Sequence, residues 1–438
     1  MEEFFKLSQR NTSVGQELRA GLTTFLAMAY IIAVNPAILE AAGIPKIACI
    51  TGTCIGAGIM TIIMGLCANR PVALASGLGV NAMVAGATVT MCNGDWHAAM
   101  SVIFIEGIAI LILVLCGLRE AIMEAIPESL RHAISVGLGL FVALIGLVNA
   151  GIIVPGQGTL IALGDVRDPA FIVGLVAIVA TVGLSAMQVN GSILFGIIIA
   201  VLAGIPLGVT QMPDQFFIPN LDLSTFGAPF QKDAQGVMGL TKAITSPTLL
   251  VLAFSLMMSD FFDTMGTAMA IAKHGEFLTE DGHVEDIKPI LIVDSVAAAM
   301  GGFFGVSSIT TFLESTAGAA DGGRTGLTSI FTGIFFILAA FFAPTITIVS
   351  GAATCGALVY VGSLMMSEVT EIDWMDMQEA FPSFMIVAGI PFTFAISDGI
   401  GMGFIAYVIV ALCNGNAKKI KPLMWVAAFA FVVYFLIV

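Results

Sequence analysis

Residues 305–320 read GVSSITTFLESTAGAA, and residues 72–89 read VALASGLGVNAMVAGATV. Both stretches are rich in small residues and poor in Leu and Ile, within a chain otherwise dense in apolar side chains. Apolar runs broken by charges or Gly/Pro clusters fall at 17–38, 46–68, 71–90, 97–118, 128–153, 169–189 and 191–209. A polar stretch, 210–247, follows. Seven further runs come at 248–273, 287–303, 304–321, 324–346, 350–367, 378–396 and 398–414. The two quoted stretches are thus the third run of each set. Short interrupted spans at matching positions, in halves with an odd number of spans, mark a transporter with inverted repeats and a binding site at the interruption. Two helices packed through small residues would share that composition, so the stretches alone leave both readings open. The fold expected is an all-α polytopic membrane protein of fourteen transmembrane segments, arranged as two inverted seven-span repeats.

Composition agrees. Of 438 residues, 58% are apolar and only 11% charged, against about a quarter charged in an average soluble protein, and mean hydropathy is +1.02. No segment is polar enough to fold as a separate water-soluble domain. With 16 basic and 30 acidic residues, the chain repels phosphate, which excludes nucleic acid as a partner. The seven cysteines show no paired CxxC spacing, so neither a disulfide framework nor a metal site is expected. The first twenty residues lack an apolar core and do not read as a signal peptide. The apolar 422–438 follows the basic NGNAKKIKP and could either span or lie in the interface.

Fourteen crossings from a cytoplasmic N-terminus place twelve Lys and Arg inside and four (Lys46, Arg167, Lys232, Lys242) outside, which fixes the orientation. None of the basic residues falls in mid-span. Carboxylates do: Glu106, Asp260, Asp263, Asp294 and Glu314, with Asp398 near the start of the last of the fourteen. An acid at a helix centre costs about 2.5–3.5 kcal/mol on insertion scales. Protonation or a bound cation relieves that cost, so the site is expected to be ion-coupled. Asp260 and Asp263, three apart, share a helix face. Glu314 stands where the break of the tenth span gives way to a helix, whose start would turn backbone N–H groups toward mid-membrane. The break of the third span offers Gly77, Gly79 and Asn81. Glu106 stands alone among Ile and Gly and reads equally well as a packing hydrogen bond or a transport residue. All four histidines lie at span ends or in loops, and Asn35-Pro36 reads as a structural helix-end feature.

Taken together, GLTTFLAMAYIIAVNPAIL, SGLGVNAMVAGA, SDFFDTMGT, VDSVAAAMGG, SSITTFLESTAG and GGRTGLTSI resemble the AzgA-like purine permeases, a branch of the nucleobase:cation symporter and nucleobase:ascorbate transporter superfamily. The resemblance covers about residues 4–415. It implies short antiparallel strands in the third and tenth spans, a core domain (17–118 and 248–346) and a gate domain (119–209 and 347–414). The remainder is a cytoplasmic N-terminus (1–16), an extracytoplasmic loop (210–247) and a C-terminal basic linker with an apolar helix (415–438). It further implies import of adenine, hypoxanthine or guanine with a proton across the plasma membrane, an elevator-like motion of core against gate, and a homodimer. No cofactor is implied beyond the coupling proton. By motif match, Asp260, Glu314, Asn81, Gly79, Ser315 and Thr311 would bind substrate, and Asp263, Asp294 and Glu314 would serve proton coupling. Phe261, Phe262 or Phe312 could cover a purine ring face.

Two rivals share the fold: a uracil/xanthine symporter and a sulfate or bicarbonate transporter. The second would want a positive side chain at the half-helix junction, where this chain has none. A membrane enzyme is disfavoured because a metal-dependent one would want mid-membrane histidine beside the acids.

Overall fold

The computed structural model describes residues 2–117, 126–156, 158–189, 191–213, 215–217, 221–232, 236–277, 284–285 and 287–437. Beyond two short strand pairs, ordered structure here is helical. In chain order the principal elements are α1 (Val14–Met28), α2 (Ile31–Leu39), α3 (Lys46–Cys67), β1 (Leu74–Ser76), α4 (Leu78–Thr90), α5 (Trp96–Leu115) and α6 (Glu128–Asn149). The strands β2 (Ile153–Val154) and β3 (Ala162–Leu163), α7 (Pro169–Ala186) and α8 (Ser192–Gly204) complete the first half. The second half holds α9 (Gly239–Thr245), α10 (Pro247–Gly275), α11 (Ile287–Phe304), β4 (Ile309–Thr311), α12 (Ser315–Ala320) and α13 (Gly326–Ala339). After these come α14 (Gly351–Met365), α15 (Met377–Thr393), α16 (Ile396–Cys413) and α17 (Pro422–Ile437).

Helix starts follow side-chain capping. Asp95 accepts from His97 N–H (3.1 Å), Asp168 from Ala170 N–H (2.7 Å) ahead of Pro169, and Asp376 from Gln378 N–H (2.9 Å). Among the described residues, eight helical segments are long and apolar enough to cross a membrane, and Leu78–Thr90, Ser192–Gly204, Asp398–Cys413 and Pro422–Leu436 are shorter apolar helices. Apolar runs therefore do not map one to one onto long helices. The runs at 71–90 and 304–321 are each a strand followed by a short helix, and the run at 17–38 is two helices parted at Ala29–Tyr30.

Packing depends on small residues. The backbones of α3 and α13 meet at Gly58 against Gly333 and Gly65 against Gly326, and α6 meets α14 at Gly139 against Gly362; a Cβ at any of these would strike the opposite backbone. The shared core joins α2, α3, α5, α10 and α11 through Val34, Ile50, Ile103, Leu256 and Leu291. The C-terminal helix α17 lies against both α16 and α10: the Phe431 ring is 5.7 Å from Phe404 and from Phe254, and Tyr434 donates to Asp398 Oδ1 at 2.9 Å.

Candidate functional site

The two sequence stretches come together as one strand pair. β1 and β4 run antiparallel, with Leu74 opposite Thr311, Ala75 opposite Thr310 and Ser76 opposite Ile309, and all six residues are buried. The ladder extends at both ends, through Gly77 N–H to Ser308 O (2.9 Å) and Phe312 N–H to Ala73 O (3.0 Å). Backbone of this kind inside a membrane protein must satisfy itself, and pairing the two breaks does so. Asn35, fully buried in α2, fastens the pair from outside: its amide nitrogen lies 3.1 Å from Ser76 Oγ, 2.8 Å from Thr53 Oγ1 and 3.2 Å from Val306 O.

Asp294 fixes the other side of β4. Its Oδ1 accepts from Thr311 N–H (3.0 Å) and Thr310 Oγ1 (3.2 Å), and its Oδ2 from Thr264 Oγ1 (2.7 Å). One buried carboxylate from α11 thereby ties the strand to α10. Asp260 lies one turn before Thr264 on α10 and is fully buried as well. The side chains of Asp263 and Phe262, also on α10, lie outside the described residues.

Glu314 occupies the position just before α12. Its Oε1 accepts a hydrogen bond from the Tyr30 hydroxyl, which arrives from the break between α1 and α2. No hydrogen bond to Oε2 occurs among the described residues, leaving an acceptor for a ligand. The backbone donors expected at this helix start are engaged instead. Ser315 N–H goes to Phe312 O (3.0 Å), Thr316 N–H to Leu313 O (2.9 Å) and Ala317 N–H to Glu314 O (3.0 Å). These i→i−3 bonds wind the first turn tightly, and a six-residue helix has little else to offer. Ser315 is a fastener: its Oγ accepts from Ala73 N–H at 3.0 Å. Thr311 contributes its N–H to Asp294, while its hydroxyl is buried without a hydrogen bond among the described residues.

Asn81, one turn into α4, is fully buried, and neither its amide nitrogen nor its oxygen has a hydrogen-bond partner among the described residues. A buried amide left open in this way offers an NH2 group with two donors and an accepting oxygen. Gly79 faces Leu138 of α6, where an added Cβ would come within 3.2 Å of that side chain. Phe261 is fully buried, and the Phe312 ring lies 6.4 Å from that of Tyr30.

Sequence reasoning missed Tyr30. A tyrosine inside an apolar run needs a partner for its hydroxyl, which was the available signal, but the partner lies 284 residues away. It also missed Glu17, fully buried at the start of α1. That carboxylate accepts from the backbone of Arg324 (3.0 Å), Thr325 (3.3 Å) and Thr328 (3.1 Å), and from the hydroxyls of Thr325 (2.8 Å) and Thr328 (2.6 Å). It caps α13 from another helix.

An open cavity of about 660 Å³ lies at the N-terminal ends of α5 and α10, with Asp95, His97, Lys242 and Ser246 among its lining residues. Lys242 donates to Asp95 at 2.7 Å. Burial raises the Asp95 carboxyl, but its hydrogen bonds with Lys242 and His97 outweigh this and hold it below the usual range.

Comparison with known proteins gives a consistent answer. The family model described as "Permease family" (Xan_ur_permease) matches residues 15–400. Adenine permease AdeQ of Escherichia coli is 37% identical over 442 residues, covering 100% of this chain and 96% of AdeQ. Guanine/hypoxanthine permease PbuO of Bacillus subtilis is 37% identical over 433 residues, 98% of each chain. Among solved structures, the transmembrane domain of the cyanobacterial bicarbonate transporter BicA superposes with a TM-score of 0.63 at 15% identity, over 90% of this chain and 97% of that one, a likeness of fold alone. The chain belongs to the Permease family as a multi-pass membrane permease rather than an enzyme, and its relatives match the AzgA-like branch of the nucleobase transporter superfamily.

Proposed function

We propose that this protein is a proton-coupled symporter that imports purine nucleobases, adenine and/or hypoxanthine/guanine, across the plasma membrane. The observation that carries the reading is the placement of Asn81 and Glu314. Each follows a strand of the same buried pair, and among the described residues both polar atoms of Asn81 are open and Glu314 accepts only from Tyr30, through Oε1. An amide can pair with a ring nitrogen and N–H on one purine edge, and a carboxylate can accept from ring N–H or amino groups on another. The relatives' names, adenine permease and guanine/hypoxanthine permease, support the substrate class.

The same reading gives Asp260, Thr311, Gly79 and Ser315 to substrate binding, and Asp263, Asp294 and Glu314 to the proton, which is the only coupling agent invoked. Asp294, held by three donors, suits a supporting part in that step. The finer architecture belongs to the same proposal: fourteen spans in two inverted repeats with a cytoplasmic N-terminus, and a homodimer. In each protomer a core (17–118 and 248–346) slides past a gate (119–209 and 347–414). The absence of any Lys or Arg from mid-span weighs against an anion substrate.

Uptake into proteoliposomes of radiolabelled adenine, hypoxanthine, guanine, xanthine and uracil tests the reading under imposed proton or sodium gradients. Purine uptake driven by the proton gradient is expected; uracil uptake without purine, or uptake that follows sodium and ignores pH, would overturn it. Glu314→Gln should lower uptake by about 100-fold or more while the protein stays folded.

A further inference from the structure

Among the described residues, Glu106 is an anomalous side chain. It sits near the middle of α5, fully buried, and neither carboxylate oxygen has a hydrogen-bond partner among the described residues. Buried polar groups are almost always paired, so an orphan needs a reason. Its neighbour Gly107 is pressed onto the Ala299 backbone of α11, and Gly302 of α11 meets Met100 and Phe104 of α5. The crossing beside Glu106 is thus backbone against backbone.

Among the described residues, the charges around it share one sign. Asp260 on α10 and Asp294 on α11 are the charged groups that bear on it. Of the other elements packed on α5, α4 carries no titratable group, and α9 carries Lys242, whose ammonium is held by Asp95 at the far end of the helix. An isolated carboxylate in such surroundings is unfavourable and is relieved by taking a proton. Glu17, an acid with a structural role in this protein, looks different: it gathers five donors.

We propose that Glu106 is a proton-carrying residue of the transport cycle, standing behind Asp260 and Asp294 and holding the proton while the substrate-facing acids are ionised. This rests on the proton-coupled reading above. The proton comes from water on one side of the membrane, bonds to a Glu106 oxygen, and leaves to water on the other side. The acidic cluster loses and regains one negative charge, and no other reactant is needed. Substrate and proton are linked because whatever engages Asp260 changes the field that keeps Glu106 neutral.

Glu106→Gln mimics the protonated form permanently. The purified variant is compared with wild type in two assays, using whichever purine the wild type moves. One is counterflow exchange at equal pH; the other is accumulation driven by a proton gradient, with a pH dye inside the vesicle. The expected variant exchanges purine within about threefold of wild type but loses accumulation and proton entry by about tenfold or more. Wild-type accumulation in the variant overturns the proposal. So does loss of exchange together with accumulation in a folded variant, because that is the behaviour of a structural residue. If Glu106→Gln does not fold, Glu106→Asp decides: it keeps a titratable group in a changed position, so coupled uptake with a displaced pH profile is expected, and an unmoved profile overturns the proposal. Failure of the underlying reading is seen separately, as a wild-type protein that ignores pH.

Discussion

Glu17 and Glu106 are the same residue type, each with no exposed surface, and their surroundings are opposite. Glu17 meets three backbone N–H groups and two hydroxyls at the start of α13. Among the described residues, Glu106 meets no donor and the charges that reach it are acids. A buried carboxylate with a full set of donors behaves as part of the scaffold and holds two helices in place. One with none has its protonation left free to follow its neighbours. Burial alone therefore does not distinguish these two acids; the donor set does.

The sharpest way to break the contrast is to remove Glu17. Glu17→Ala leaves the N–H groups and hydroxyls of Thr325 and Thr328 without their acceptor, and the expected loss is about 3 kcal/mol or more, since each stranded buried donor costs about 1–3 kcal/mol. Thermal unfolding in detergent would show it, and an unchanged midpoint would mean that water replaces the carboxylate. A smaller effect is expected at Asp95, a third acid, which accepts from His97 of the helix it caps and from Lys242 of α9. Lys242→Ala should cost about 1 kcal/mol at neutral pH. Because the folded Asp95 titrates below its unfolded value, the pair's stabilisation is complete above the usual carboxylate range and is lost as pH falls through the lower folded value. The difference between wild type and Lys242→Ala should therefore close on acidification. The smallest effect is expected at Glu106. Glu106→Gln should leave the unfolding midpoint within about 0.5 kcal/mol of wild type, since it breaks no hydrogen bond. A large loss there would place Glu106 with Glu17.

The same distinction explains what the sequence could and could not reveal. The small-residue stretches at 72–89 and 305–320 were readable because pairing two breaks in a membrane demands that composition, and Asp260, Asp294 and Glu314 were readable because an acid in an apolar run is costly wherever it goes. Their partners were not. Tyr30 reaches Glu314 across 284 positions, and Thr325 reaches Glu17 across 308; no local pattern encodes either. Hydropathy also counts a strand and the helix after it as one run, so span lengths at 71–90 and 304–321 could not be divided from sequence. Glu314 could be placed at a helix start, but not the tight turns that consume the donors of α12, since these depend on how β4 enters the helix. The Asp263 side chain lies outside the described residues.

The strand pair also sets the order in which the protein can be made. Ala73 and Ser315, joined at the edge of the pair, are 242 residues apart. At ribosomal rates of about 5–20 residues per second, β1 waits about 12–50 seconds for its partner. Throughout that interval the first half has entered the bilayer with a strand edge whose N–H and C=O groups have nothing opposite them. The nascent chain must shelter that edge in the insertion machinery or against its own helices. Substitutions that weaken the pairing of β1 with β4 would then act first on yield during synthesis, before any effect on the finished protein's transport.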